Sequence, residues 1–146
     1  MEQKVQDFLQ AKRLAVVGVS HNPQKFGSAI YTDLKGRGFE VYGVNPTLDT
    51  IDGDKCYASL TELTGKVDGV VISVPPQKAA QAIREAAAAG ITKVWLQQGA
   101  QSLETTKVAR EVGVTPVEGK CILMYAGEVK SIHAFHRFFA KLFGQY

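Results

Sequence analysis

The stretch Arg13-Leu14-Ala15-Val16-Val17-Gly18-Val19-Ser20 decides the fold. Its near-continuous apolar run, without polar alternation, predicts a parallel strand covered on both faces. His21-Asn22-Pro23 then predicts a turn, because proline discourages helix in the residue before it. Beyond the turn, Ala29, Ile30 and Leu34 fall on one side of a helix that should stop in Lys35-Gly36-Arg37-Gly38, where glycine takes a left-handed backbone angle without strain. Strand, turn and helix together are the opening half of a βαβ unit.

The same grammar repeats outward from this stretch. Upstream, Val5, Phe8 and Leu9 recur at helical spacing, so residues 3–11 read as a short amphipathic helix against one face of the sheet. Downstream, Phe39 to Val44 forms a second strand ending at Asn45-Pro46. Thr47 to Tyr57 shows little period around a turn at Asp52-Gly53-Asp54, and Ser59-Leu60-Thr61-Glu62 has the pattern of a capping box for a short helix. Val67 to Val74 is a third strand, and an alanine-rich helix follows from about Gln77 to Ala89. Lys93 to Leu96 is a fourth strand. Ser102 should cap a helix bearing Thr105, Val108 and Val112, and Val114 to Val117 gives a fifth, short strand. Strands spaced by helices imply a Rossmann-like three-layer α/β fold with a mostly parallel five-stranded sheet. We expect strand order 3-2-1-4-5, with the reversal between the first and fourth strands, in one domain over residues 1–146.

The last segment differs in character. Val129, Ile132, Phe135, Phe138, Phe139, Leu142 and Phe143 fall at helical spacing, predicting an added amphipathic helix over 128–143. Its aromatic stripe suits packing on the domain's own sheet, or in part on a second copy of the chain in a homodimer. Only Lys130, Arg137 and Lys141 would face lipid charge there, so a membrane partner is not expected.

Composition narrows the classes. At 146 residues and 45% hydrophobic, the chain can bury one sizeable core. Its 17 basic and 14 acidic residues leave a net charge of +3 with the basic residues dispersed. That balance suits a polyanionic small ligand and offers no basic stripe for nucleic acid. No apolar run approaches the roughly 18 residues of a membrane span, and the polar start at Met1 lacks the core of a signal peptide. A cytoplasmic location is expected. Two cysteines, Cys56 and Cys121, make neither a disulfide framework nor a CxxC pair.

In an open parallel sheet, ligands collect beyond the carboxyl ends of the strands, where strand order reverses. Four loops should converge there. The first, from Gly18 to Gly27, has the means to cradle a phosphate. Backbone N–H groups at the helix start favour an anion, Ser20 offers a hydroxyl, Lys25 a cation, and Gly27 a close backbone approach. It matches neither GxGxxG nor a Walker loop. At the end of the second strand, Asn45 and Pro46 stand where a dinucleotide site usually carries an acid. With Lys35 and Arg37 in the preceding turn, this pattern accommodates the 3′-phosphate of coenzyme A, and equally NADP. Ser73, Val74 and Pro75 offer a hydroxyl beside an apolar edge, and Gln97, Gln98 and Gly99 a neutral polar turn.

No residue set makes a catalytic machine. His21 lies in the phosphate loop and could donate to a phosphate, while His133 and His136 alone make a poor metal site. Cys121 beside Lys120 is either a thiol activated by a neighbouring cation or a small buried core residue.

Taken together, Val16-Val17-Gly18-Val19-Ser20, Asn22-Pro23-Gln24-Lys25-Phe26-Gly27, Val44-Asn45-Pro46, Val70 to Pro75, Trp95-Leu96-Gln97-Gln98-Gly99 and Cys121-Ile122 resemble the small CoA-binding protein family. These are stand-alone relatives of the CoA-binding domain in the alpha subunit of succinyl-CoA synthetase and in ADP-forming acyl-CoA synthetases. The resemblance spans roughly residues 10–124 and implies coenzyme A or an acyl-CoA as ligand. It implies phosphates held by Gly18, Val19, Ser20 and the helix start at Lys25, Phe26 and Gly27. Asn45 and Pro46 would then lie by the adenosine, with Ser73, Val74, Pro75, Gln97 and Gly99 lining the rest. In the synthetases a second domain carries a phosphorylated histidine, and this chain ends before such a domain could begin. The expectation is therefore a non-catalytic CoA-binding or regulatory module. Two alternatives stand beside it: an NAD(P)-binding oxidoreductase, and a CoA-binding subunit of a larger acyl-CoA synthetase-like assembly.

Overall fold

The computed structural model of the protein describes residues 3–22 and 25–126. Pro23, His133, His136 and the helix expected over 128–143 lie outside the described residues.

Among the described residues seven strands form one sheet: β1 (Arg13–Val17), β2 (Glu40–Val44), β3 (Thr50–Ile51), β4 (Asp54–Tyr57), β5 (Gly69–Ile72), β6 (Lys93–Gln97) and β7 (Val117–Lys120). Among the described residues five helices flank it: α1 (Gln3–Leu9), α2 (Phe26–Gly36), α3 (Pro76–Ala88), α4 (Leu103–Val112) and the short α5 (Leu123–Ala126). The strand order is β3-β4-β2-β1-β5-β6-β7, and every pairing is parallel except β3 with β4. The sheet is thus a mixed one with general Rossmann-like character.

Two expectations are corrected here. The sheet has seven strands rather than five, and the third long strand does not lie beyond the second. Val16 of β1 pairs with Gly43 of β2 on one side and Val71 of β5 on the other. The physical reason lies in Thr50 to Tyr57. This segment folds as a hairpin whose second strand pairs with β2, Gly43 against Cys56 and Val44 against Tyr57. The edge beside β2 is therefore occupied, and the chain crosses back to the free edge of β1. In chain order of the long strands the arrangement is 2-1-3-4-5, and the reversal lies between β1 and β5. The last strand also begins at Val117, later than expected.

Two cores sandwich the sheet. On one face, Val5 and Phe8 of α1 and Ile30, Tyr31 and Leu34 of α2 pack with Leu14, Val16, Val71 and Trp95. On the other, Ala79, Ala80 and Ile83 of α3 and Val108 and Ala109 of α4 pack with Ala15, Val70, Ile72 and Leu96. Side chains of adjacent residues in β1 alternate between these cores, so an apolar run without polar gaps is what such a strand requires. Gly69, which interrupts the third hydrophobic run, is explained by crowding: a Cβ there would stand 3.2 Å from both Leu14 and the Phe8 ring. Phe8 in turn packs edge-on against Trp95, with centroids 5.3 Å apart.

Ser102 caps α4 as expected, its hydroxyl accepting from Thr105 N–H while the Thr105 hydroxyl accepts from Ser102 N–H at 2.7 Å. Ser59 does not cap. Its hydroxyl bonds that of Thr61 at 2.7 Å, and the segment Leu60–Leu63 is a single 3₁₀ turn. Among the described residues no helix is long and apolar enough to cross a membrane.

Candidate functional site

A cleft of about 440 Å³ opens at the carboxyl edge of the sheet, over the point where the chain reverses between β1 and β5. Its first wall is the turn leaving β1. Gly18 has φ of 113°, and a Cβ there would lie 2.1 Å from the carbonyl oxygen of Ser73. Gly27, in the first turn of α2, faces the backbone of Gly18, where a Cβ would lie 2.1 Å from the Gly18 carbonyl oxygen. These contacts press three backbones together: the end of β1, the end of β5 and the start of α2. Gly27 therefore serves helix–strand packing, where the sequence suggested close approach to a ligand.

Serine hydroxyls set the shape of the loop between those glycines. Ser28 Oγ accepts from Ser20 N–H at 3.1 Å and donates to the Ser20 carbonyl at 2.5 Å. Ser20 Oγ accepts from Asn22 N–H at 3.0 Å, which leaves its own proton to donate. His21 is turned elsewhere. Its Nε2 lies 2.9 Å from the Thr50 carbonyl oxygen, so the ring donates there and ties the loop to the β3–β4 hairpin.

The helices that start at the cleft are electrostatically alike. Lys25 occupies the N-cap of α2 and Pro75 that of α3; neither helix has a side-chain cap or an acid in its first turn. Each instead places a lysine at the cleft, Lys25 and Lys78. A cation at the positive end of a helix dipole is unfavourable unless an anion lies between them. The capped α4, with Glu104 in its first turn, shows the usual arrangement.

Twelve of the thirteen residues named from sequence line this cleft: Gly18, Val19, Ser20, Lys25, Phe26 and Gly27 from the first loop, Asn45 from the second, Ser73, Val74 and Pro75 from the third, and Gln97 and Gly99 from the fourth. Pro46 is exposed and does not line it. Two of the twelve have their amides committed elsewhere. Asn45 Nδ2 donates to the Val19 carbonyl at 2.8 Å, and its Oδ1 accepts from both N–H and hydroxyl of Thr47 at 2.8 Å. Gln97 is 3% exposed; its Oε1 accepts from Ile122 N–H at 3.1 Å and its Nε2 reaches Cys121 Sγ at 2.9 Å. Both side chains hold loops in place. Cys121 is accordingly a buried core thiol, which resolves the choice between its two readings.

Lys35 and Arg37 do not approach the cleft, contrary to expectation. They close the far end of α2, where Lys35 pairs with Asp54 and Arg37 Nε donates to Asp33 at 2.7 Å. Asp54 also accepts from the Tyr31 hydroxyl at 2.8 Å, and the Lys35 ammonium holds its carboxyl below the usual carboxylate range. Lys78 is the lining cation that the sequence reading misses. The one available signal is a lysine in a first helical turn that carries no acid.

A mostly parallel sheet with a glycine-bounded cleft at its switch point is the architecture of a nucleotide-binding α/β domain. A family profile described as "CoA binding domain" matches residues 12–126, and the chain belongs to that family. Coenzyme A is accordingly its cofactor. The chain is 30% identical over 120 residues to uncharacterized protein YneT of Bacillus subtilis (strain 168), covering 82% of this chain and 89% of that one. It is 28% identical to the alpha subunit of acetate–CoA ligase [ADP-forming] II of Pyrococcus furiosus, covering 79% of this chain but only 28% of that subunit. Among solved structures, a conserved hypothetical protein from Pyrococcus furiosus superposes with a TM-score of 0.73 at 45% identity, covering 76% of this chain and 96% of that one. The domain is thus related to subunits of ADP-forming acetate–CoA ligases.

Proposed function

We propose that the chain holds coenzyme A in this cleft, with the diphosphate on the Gly18–Gly27 turn, and serves as the CoA-binding unit of an acyl-CoA synthetase-like assembly. The observation that carries the reading is the turn itself. Two glycines without room for a Cβ draw an uncapped, lysine-bearing helix start against the sheet's switch point. That arrangement concentrates positive potential where a diphosphate can meet backbone donors. The likeness to the ligase alpha subunit supports the larger assembly, since this chain spans about a quarter of it.

The cleft lining offers no acid–base pair among the described residues, so bond making is assigned to other domains or chains. A second reading, a CoA-binding module that acts alone, draws on one observation: the chain covers 89% of YneT and 96% of the Pyrococcus furiosus structure. NAD(P)-dependent hydride transfer has less support, because the end of β2 presents Asn45 with its amide engaged and no carboxylate for ribose hydroxyls.

Calorimetry with CoA, acetyl-CoA, NAD and NADP tests the ligand; binding confined to NAD or NADP overturns the assignment. The assembly is tested by adding the chain to an ADP-forming acetate–CoA ligase whose CoA-binding unit has been deleted. Restored CoA-dependent release of ADP from ATP supports a subunit role. CoA binding without any restoration favours the module that acts alone.

A further inference from the structure

We propose that Lys78 reads the 3′-phosphate of coenzyme A and sets the preference of the cleft for CoA over ligands lacking that group. This rests on the CoA assignment above and deepens it. CoA carries two separate anionic groups, the diphosphate and a phosphomonoester on the ribose, and a single site must meet both. The proposed function seats the diphosphate on the Gly18–Gly27 turn, and Lys25 belongs to that wall.

The second phosphate then has few partners to choose from. Among the described lining residues the cations are Lys25 and Lys78. The end of β2 offers only Asn45, whose amide holds Val19 and Thr47. Lys35 and Arg37 are paired with Asp54 and Asp33 at the opposite end of α2. What remains is the wall built by α3.

That wall is well placed. Helix α2 packs on one face of the sheet through Ile30, Tyr31 and Leu34, and α3 on the other through Ala79, Ala80 and Ile83. The two lysines therefore stand on opposite sides of the sheet's carboxyl edge. A ligand lying across that edge, with its diphosphate at the α2 wall, turns its remaining phosphate toward Lys78. Pro75 and Pro76 restrict the backbone just before Lys78, so the helix start that carries it is ordered before a ligand arrives. A compact ammonium on a flexible stem suits a phosphomonoester better than it would suit a planar carboxylate.

The test is calorimetry on the full chain with CoA and dephospho-CoA, for the wild type and for Lys78→Ala, Lys78→Arg and Lys25→Ala. A charge-assisted contact should make wild-type binding of CoA roughly 10- to 100-fold tighter than that of dephospho-CoA. Lys78→Ala should bring CoA to within a few-fold of dephospho-CoA and leave dephospho-CoA affinity unchanged. Lys78→Arg should keep most of the preference, and Lys25→Ala should weaken both ligands by the same factor. Lys78→Ala weakening both ligands equally, or neither, overturns the proposal, as does a wild type that binds the two alike. A wild type that binds neither removes the CoA assignment itself, which separates the two failures. Because Lys78 is exposed, unchanged melting of its variants serves as the folding control.

Discussion

At the scale of single residues, the site depends on two hydrogens in place of methyl groups. Gly18 combines a backbone angle that side-chain-bearing residues avoid with a Ser73 carbonyl 2.1 Å from its Cβ position. Strain from the angle costs roughly 1–3 kcal/mol and overpacking a similar amount. Gly18→Ala should therefore destabilise the chain by about 2–6 kcal/mol, read as a fall in the urea midpoint. Gly27 has ordinary helical geometry, so Gly27→Ala meets only the packing clash, about 1–3 kcal/mol. Its larger effect should be on ligand. The helix start must retreat from Gly18, and CoA affinity should fall at least tenfold in protein that still unfolds cooperatively. Retained affinity in a folded Gly27→Ala protein would show that the turn need not be so tight, and the phosphate cradle would have to be placed elsewhere.

At the scale of elements, the amino edge of the sheet is closed by chemistry unlike that of the carboxyl edge. Asp68, just before β5, accepts from Arg13 Nη2 at 2.8 Å, from Arg13 Nε at 3.2 Å and from Arg13 N–H at 3.2 Å, joining the starts of β1 and β5. The Arg13 guanidinium holds the Asp68 carboxyl below the usual carboxylate range. A carboxyl whose value is lower in the folded state stabilises fully above its unfolded value, near 4. That stabilisation is lost as pH falls through the lower, folded value. The difference in stability between wild type and Asp68→Asn should thus be constant from pH 6 to 8 and shrink below about pH 4. A difference that instead grows in acid would remove the pairing from the account. The same two strands show what a sequence conveys about elements. Their apolar runs identify β1 and β5 as doubly covered, yet say nothing of which edge each joins, because burial on both faces erases any positional signal. The order was decided by Thr50 to Tyr57, where strands of two and four residues are too short to display alternation. Only the turn at Asp52-Gly53 was legible there. The cleft was read more fully, since loops after successive parallel strands must converge on one edge whichever order the strands take. Lys78 escaped because a lysine on an amphipathic helix reads as a solvated face until the helix's end is known to border a cleft. Asn45 and Gln97 look like ligand partners in the sequence, because no sequence pattern reveals that an amide is already bonded to its own loops.

At the scale of the whole molecule, the cleft belongs to neither core alone. One wall rides on α2 and the core beneath it, the other on α3 and the opposite core, and the sheet edge between β1 and β5 joins them. A ligand bridging both walls binds only when both cores are formed, so its binding energy adds to the stability of the chain as a unit. At 100 times the dissociation constant this amounts to about 2.7 kcal/mol, which for a chain of this size raises Tm by roughly 5–10 °C. The rise should follow the logarithm of CoA concentration and shift a single transition without splitting it. NAD at equal concentration should leave Tm within a degree of the unliganded value. If CoA instead raised one of two separable transitions, its contacts would lie on a single wall. The division of phosphates between Lys25 and Lys78 would then fail with it, because that division requires the ligand to cross the sheet edge.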